Sequence, residues 1–281
     1  MLNKNIIICN WNEKGEKIVI ELHSPLAAPG TGVIVLSKPR PVNEEELRHN
    51  YPKEYSNVEF REGSPVNYNT LEGANVHTSK AVIILANDKL LNPDAESGLI
   101  VLAINTLWKK RIDEEINKRI KTSGLHKDEL REKIILEEQF IKPRIIVEVL
   151  EHGKMDHLKD AGADDVICAA DYAIGILAQS ALNEKLSDVY HDLLTYGAGT
   201  NEIYIVDEPF LSEWIDGRTF REVSLFFLEH RCNVNPAIPV GLRRRGKAII
   251  NPKEDIKCTK EDALIVLAYD IPELVKIISE K

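Results

Sequence analysis

Short runs of apolar residues that alternate with helical patterns most constrain the fold of this chain. The first two runs, at residues 6–9 and 33–36, flank an amphipathic segment at 16–23. Further apolar runs at 81–85 and 144–150 extend the alternation. Parallel strands joined by helices satisfy this pattern, because strands buried on both faces are apolar throughout. The sequence therefore predicts an α/β fold that begins with a doubly wound parallel sheet.

The turn after the first strand lies where a dinucleotide-binding Rossmann fold carries the sequence GxGxxG. Here the six positions read Asn-Trp-Asn-Glu-Lys-Gly, from Asn10 to Gly15, so only the final glycine is present. That glycine permits close packing of helix and strand, whereas the two missing glycines allow the backbone to approach a pyrophosphate. The pattern thus predicts a Rossmann-like fold with a weakened site for ordinary pyrophosphate binding.

Composition and charge exclude several classes of function. The chain has 281 residues, and its 45 acidic against 36 basic residues give a formal charge of -9. Nucleic-acid binding is not expected, because it requires a basic face. No apolar run approaches the ~20 residues that span a bilayer, and no signal peptide is evident. The four cysteines are scattered without a zinc or disulfide pattern, so a soluble protein of the reducing cytoplasm is expected.

Two helical regions carry unusual patterns. Residues 109–140 are densely charged, and Ile112, Ile116 and Ile120 form a narrow apolar stripe. This region predicts two helices in a hairpin or long extension, whose stripe packs either on its own domain or on another subunit. Residues 171–196 predict two helices with a bend between them, the first apolar on nearly every side. Such a helix needs covering from more than one direction, so a partner subunit is a reasonable cover.

The last third of the chain predicts a small α+β domain. The periodicity changes from residue 202, and a run of three arginines is expected at a solvated hairpin tip, residues 243–246. The pattern predicts strands at residues 203–206, 237–242, 247–250 and 263–269, and helices at 219–228 and 271–279.

A set of ordered segments carries a family resemblance. These are residues 6–15, 145–148, 161–167 and 175–179 of the first part, and Pro-Val-Gly-Leu at 239–242 followed by Asn-Pro at 251–252. The set resembles the RCK domain (regulator of potassium conductance), the cytoplasmic sensor of potassium channels and Trk-type potassium transporters. It is closer to channel-type members, including the plant nuclear-envelope channel relatives, than to glycine-rich Trk-type subunits.

The resemblance implies a Rossmann-like N-lobe at residues 1–170, with the charged insertion at about 109–140, then crossover helices at 171–196 and a C-lobe at 197–281. It implies a homodimer through the crossover helices and a higher ring, a tetramer or octamer, that pulls on the pore-forming segment of a potassium channel. The chain is then a ligand-sensing regulatory domain on the cytoplasmic side of the membrane and not an enzyme. An NAD(P)-dependent oxidoreductase and a ligand-free dimeric scaffold with a vestigial pocket are the alternatives.

An adenine nucleotide (NAD, ADP or ATP) is one expected ligand. A helix N-terminus favours an anion, and a basic residue after the second strand, where an NAD site has an acid, suits an extra phosphate. Glu148, at the carboxyl end of a central strand, faces the crevice in which such sheets bind ligands. The candidate nucleotide-binding residues are Asn10, Trp11, Asn12, Glu13, Gly15, Ser37, Lys38, Gly63, Ser64, Asn87 and Glu148.

Calcium is the other expected ligand. By the resemblance, Asp164 falls where some family members place a carboxylate ligand for calcium. Calcium takes several oxygen ligands, and the partner acids that follow the crossover in calcium-activated members are replaced here by Thr-Tyr-Gly-Ala-Gly at 195–199. The site is therefore expected to be incomplete, and the alternative role for Asp164 is that of a turn residue that hydrogen-bonds its own backbone.

Overall fold

The computed structural model describes residues 5–24, 31–196, 200–230 and 237–269. The chain divides into two compact units, Met1–Ala178 and Gln179–Lys281, so the division falls within a helix that the sequence assigned to the crossover. Among the described residues, no helix is both long and apolar enough to cross a bilayer.

Unit 1 contains a six-stranded parallel sheet with the order β3-β2-β1-β4-β5-β6. This is the strand order of dinucleotide-binding Rossmann folds, and it confirms the predicted doubly wound sheet. β1 lies in register with β2 on one side and β4 on the other, so the strand order reverses between β1 and β4. The strands are β1 Ile6–Cys9, β2 Val33–Ser37, β3 Val58–Glu62, β4 Ala81–Ile84, β5 Arg144–Glu148 and β6 Asp165–Ile167.

Helices cover both faces of this sheet, which explains why its central strands are apolar throughout. One face packs Ile7, Val82 and Ile145 with the N-terminal half of a long helix, and the other packs Ile8 and Val35 with the helix after β1. The helices are α1 Glu13–Leu22, α2 Glu44–Asn50, α3 Tyr68–Gly73, α4 Pro93–Ser123, α5 Lys127–Ile135, α6 Met155–Asp160 and α7 Ala169–Leu182.

The charged insertion is a helical hairpin with a small core of its own. α4 runs without interruption for 31 residues into the insertion, and α5 folds back against it. Ile112 and Ile116 are fully buried against Leu130, Ile134 and Phe140. The apolar stripe therefore packs on its own domain, and it does not need another subunit to cover it.

The predicted crossover is a pair of helices with a break between them. α7 ends at Leu182, and α8, Leu186–Leu194, begins after Lys185, whose φ of 61° lies in the left-handed region. Neither helix has a buried residue in the single chain.

Unit 2 contains a four-stranded antiparallel sheet with the order β7-β10-β8-β9, covered on one face by two helices. Helix α9 was not anticipated from the sequence, whereas the hairpin was, and Arg245 and Gly246 form its left-handed turn. The predicted helix at 271–279 lies outside the described residues. The elements are β7 Glu202–Val206, α9 Pro209–Ile215, α10 Phe220–Glu229, β8 Ile238–Arg244, β9 Lys247–Ile250 and β10 Asp262–Ala268.

The arginine run at the hairpin tip is not simply solvated, which corrects the expectation. Arg244 makes two hydrogen bonds, of 2.8 and 2.7 Å, to the carboxylate of Asp262, whose side chain is fully buried. Arg243 pairs with Asp207, and Arg245 lies 3.3 Å from Glu261. The arginines hold the hairpin to the neighbouring strands and loops of unit 2.

Candidate functional site

A cleft of about 570 Å³ opens in unit 1 at the carboxyl ends of β1, β2 and β4. This is the edge at which open parallel sheets bind ligands, and the volume is in the range of small-molecule sites. Seven predicted residues line it: Asn10, Trp11, Asn12, Glu13, Ser37, Lys38 and Asn87. The structure adds eight more from α1, from the loop after β2 and from the turn after β4: Glu16, Pro39, Arg40, Pro41, Val42, Asn43, Lys89 and Leu90.

The turn after β1 keeps its sharp geometry without the first glycine. Asn10 adopts a φ of 69°, and asparagine is one of the few residues that enter this region readily. Its buried side chain donates to the carbonyl of Leu85 at 3.0 Å and to the carboxylate of Glu96 at 3.2 Å. These two bonds fix the turn to the strand and helix on the far side of the switch point.

The side chain of Asn12 lies at the N-terminus of α1, where a bound anion would otherwise accept hydrogen bonds from the helix amides. Its Oδ1 accepts hydrogen bonds from the backbone N–H groups of Lys14, at 3.0 Å, and Gly15, at 3.4 Å. Its Nδ2 donates to the carbonyl of Ala86 at 3.3 Å. Because an N-cap side chain satisfies amides that would otherwise bind an anion, this helix N-terminus is already occupied.

Trp11 covers Gly15, so that Gly15 does not line the cleft. A Cβ atom at position 15 would lie 2.7 Å from Cε3 of the indole, which explains why glycine is required there. The ring also meets Phe60 edge to face, with centroids 5.1 Å apart. Nε1 of Trp11 is buried and has no hydrogen-bond partner in the described part of the chain, so it leaves a donor unused beside the cleft.

Glu148 contacts the protein itself and not the open cleft, contrary to expectation. Its Oε1 lies 2.5 Å from Nζ of Lys14, and its Oε2 accepts from the backbone N–H of Ala86 at 3.1 Å. Only 10% of its side chain is exposed. The carboxylate at the end of β5 therefore ties α1 to β4 across the switch point.

Gly63 and Ser64 also lie outside the cleft and have structural roles. The N–H of Gly63 donates to the carbonyl of Ser37, and the carbonyl of Ser64 accepts from Asn67, each at 3.0 Å. A Cβ atom at position 63 would lie 2.6 Å from the side chain of Thr70. These two residues shape the turn that leads from β3 to α3.

The charges of the cleft that remain available favour an anion. Lys38 and Lys89 are exposed and form no ion pair with any residue the structure describes, and Glu13 is likewise without one. Arg40 is held by Glu44 at 2.8 Å. Glu16, the other carboxylate of the cleft, accepts from Nδ2 of Asn43 and has no cationic partner among the described residues. Three cationic side chains thus line the cleft against two carboxylates, an excess of positive charge that favours an anionic ligand.

The Asp164 side chain bonds the neighbouring strand β5 and not the backbone of its own turn, which was the alternative to calcium binding. Its Oδ2 accepts from the backbone N–H of Ile145 at 2.8 Å, and Nζ of Lys142 lies 3.6 Å away. Within the described ranges, no group of three or more His, Cys, Asp or Glu side chains is placed to hold a metal ion. His152 pairs with Asp171 at 2.5 Å.

Unit 1 is thus a Rossmann-like domain in which side chains replace two fingerprint glycines. Residues 1–141, half of the chain, match the family described as the calcium-activated potassium channel slowpoke-like RCK domain. Residues 171–277 match the family described as Castor and Pollux, part of voltage-gated ion channel. The chain belongs to the slowpoke-like RCK domain family, and the resemblance drawn from its sequence is confirmed.

Individual relatives agree with this assignment. The chain is 23% identical to the probable ion channel POLLUX of Arabidopsis thaliana, over 95% of this chain and 28% of that protein. It is 24% identical to the probable ion channel POLLUX of Oryza sativa subsp. japonica, over 95% of this chain and 24% of that protein. The chain therefore spans about a quarter of the length of these relatives.

A solved structure shares the fold. The human SLO3 gating ring matches with a TM-score of 0.59 and 18% identity, over 99% of this chain and 46% of that chain. The matched families and relatives are channel regulatory domains and ion channels rather than enzymes.

Proposed function

We propose that this chain is a gating-ring segment of a potassium channel, on the cytoplasmic side of the membrane, that couples ligand binding to pore opening or closing. The single observation that carries the proposal is the exposed apolar surface of α7, directly after the ligand-binding sheet. A ligand changes the population of two arrangements only if it binds them differently. Such coupling requires a ligand-binding cleft and a helix that packs against a second subunit, and the chain has a cleft in unit 1 and an exposed helix that suits this role.

The exposure of α7 supports pairing of two copies. Tyr172, Ile174 and Leu177 are 62%, 65% and 71% exposed in the single chain, and α7 has no buried residue. Large apolar side chains grouped on one helix mark an interaction surface, and a twofold dimer covers the same surface on both copies. Rings of four or eight subunits then form from such dimers.

Sedimentation velocity tests this assembly directly. We expect the wild-type chain to sediment as a dimer or larger species at micromolar concentration and to dissociate on dilution. A chain that stays monomeric over the whole concentration range contradicts the proposal, because the exposed helices would then lack the partner that transmits movement.

We propose an adenine nucleotide as the ligand of the cleft. The support is the exposed lysine pair at the mouth of a cleft that lies at the carboxyl ends of the parallel strands, whereas Asp164 is engaged by Ile145 and Lys142. A thermal-shift panel of ADP, ATP, NAD and calcium tests the choice, because a ligand that binds only the folded state raises the melting temperature. A shift with calcium alone contradicts the nucleotide assignment.

A ligand-free scaffold is the second candidate, and one observation favours it. Asn12 occupies the helix N-terminus at which a pyrophosphate would bind. If no nucleotide raises the melting temperature while the chain still assembles, the cleft is vestigial and the domain acts only in assembly.

A further inference from the structure

The crevice of a six-stranded Rossmann sheet has two halves, one on each side of the switch point between β1 and β4. A dinucleotide spans both halves, with its pyrophosphate over the start of the first helix. In this chain, Glu148 accepts from the backbone N–H of Ala86, the second residue after β4, and also pairs with Lys14. Nδ2 of Asn12 donates to the carbonyl of Ala86. Both backbone groups of Ala86 are thereby bonded to side chains.

These contacts form a bridge, defined by Lys14, Glu148, Asn12 and Ala86, that closes the middle of the crevice. Its ion pair is 2.5 Å long, and the Glu148 side chain is nine-tenths buried. A dinucleotide would need to break this pair, leaving the Glu148 carboxylate buried without its cation, and to displace the cap of α1. The β4–β5 half of the crevice is therefore separated from the β1–β2 half.

The open half offers what one nucleotide requires. Lys38 and Lys89 stand on two different loops at its mouth, and neither forms an ion pair with a described residue. Pro39, Val42 and Leu90 supply apolar lining for a base, and Val42 is fully exposed in the free chain. Phosphate binding by side-chain cations at the mouth replaces phosphate binding by the helix N-terminus.

We infer that the cleft selects a nucleoside diphosphate and rejects a dinucleotide. The inference rests on the proposed nucleotide-sensing function and specifies its ligand class. NAD is an informative competitor, because it contains the whole of ADP together with a second nucleoside. The β1–β2 half holds the ADP portion, and the bridge excludes the remainder.

Isothermal titration calorimetry with ADP and with NAD tests this selectivity. We expect the wild-type chain to bind ADP at least about tenfold more tightly than NAD, which corresponds to a difference of about 1.4 kcal/mol in binding free energy. Replacing both mouth lysines, Lys38→Ala with Lys89→Ala, is expected to weaken ADP binding by about tenfold or more, because both phosphate-facing cations are lost. The matched control, Lys53→Ala with Lys127→Ala, removes the same charge from exposed positions outside the cleft and leaves ADP affinity unchanged.

A variant that breaks the bridge provides a second test of the inference. Glu148→Ala frees Lys14 and the N–H of Ala86, so the ratio of ADP to NAD affinity is expected to fall towards one. Equal affinity of the wild-type chain for ADP and NAD overturns the inference, as does an absence of ADP binding or an effect of the control pair equal to that of the mouth pair. A ratio unchanged by Glu148→Ala in a chain with wild-type circular dichroism also overturns it. Failure of assembly in sedimentation, by contrast, refutes the gating-ring proposal and leaves the selectivity of the cleft intact.

Discussion

The substitution Leu177→Glu tests the role of α7 most sharply, because the side chain contributes nothing to the core of the single chain. Leu177 is 71% exposed, and no residue of α7 is buried. The variant should therefore fold normally and lose only its association with a second copy. Far-UV circular dichroism and the melting temperature of the dilute monomer are expected to match the wild type.

The expected loss of association follows from the exposed fraction. Burying a whole leucine side chain contributes about 1.5–3 kcal/mol, so covering the exposed part of this one contributes roughly 1–2 kcal/mol per copy. A twofold interface contains the residue twice, which gives about 2–4 kcal/mol and a roughly 30- to 900-fold rise in Kd. Removing the glutamate carboxylates from water adds to this loss.

Sedimentation equilibrium over a range of concentrations measures the dissociation constant of both proteins. Leu136→Glu is the matched control, because Leu136 is 80% exposed and follows α5 in the insertion hairpin. We expect its dissociation constant to equal that of the wild type. A Leu177→Glu chain that associates as tightly as the wild type, or a control that dissociates equally, would refute the assignment of α7 to the interface.

Four further substitutions test the energetics of the fold. Ile116→Ala in the fully buried hairpin core is expected to cost about 2–5 kcal/mol of unfolding free energy in urea, and Ile120→Ala, at 36% exposure, clearly less. Asn12→Ala removes the cap of α1 and is expected to cost about 1 kcal/mol in the same assay. Burial raises the pKa of Asp262, but the hydrogen bonds from Arg244 and from the backbone outweigh it and lower the pKa overall. A carboxyl group whose pKa is lower in the folded state adds stability at pH values above its unfolded pKa, and this stability is lost as the pH falls through the folded pKa. Asp262→Asn should therefore make the free energy of unfolding less dependent on pH in the acid range.

The parallel sheet was predictable because its strands are buried on both faces and are therefore apolar throughout. The runs at residues 6–9 and 33–36 correspond to β1 and β2 within one residue. The insertion shows where such patterns stop being informative. The helical periodicity identified the apolar stripe of Ile112 and Ile116, but the same periodicity results whether α5 or another subunit covers that stripe. The structure shows that α5 folds back and covers it.

The site was less predictable, because its contacts join elements far apart in the sequence. Lys14 and Glu148 are separated by 134 positions, and no local pattern indicates that they meet. The N-cap role of Asn12 did have a local sign, an asparagine followed directly by Glu13 in the first turn. Helix α9 also had one, since Pro209 stands at its first position.

The two replaced glycines explain why the cleft differs from that of a dinucleotide enzyme. Asn10 supplies the left-handed turn and adds two side-chain bonds, and Asn12 bonds the helix amides that a pyrophosphate would take. Restoring both glycines removes the cap but leaves the ion pair of Lys14 and Glu148 across the switch point. We therefore expect Asn10→Gly with Asn12→Gly to bind NAD no better than the wild type in calorimetry, and to gain affinity only when Glu148→Ala is added. NAD binding gained by the two glycines alone would show that the missing fingerprint, and not the bridge, closes this crevice.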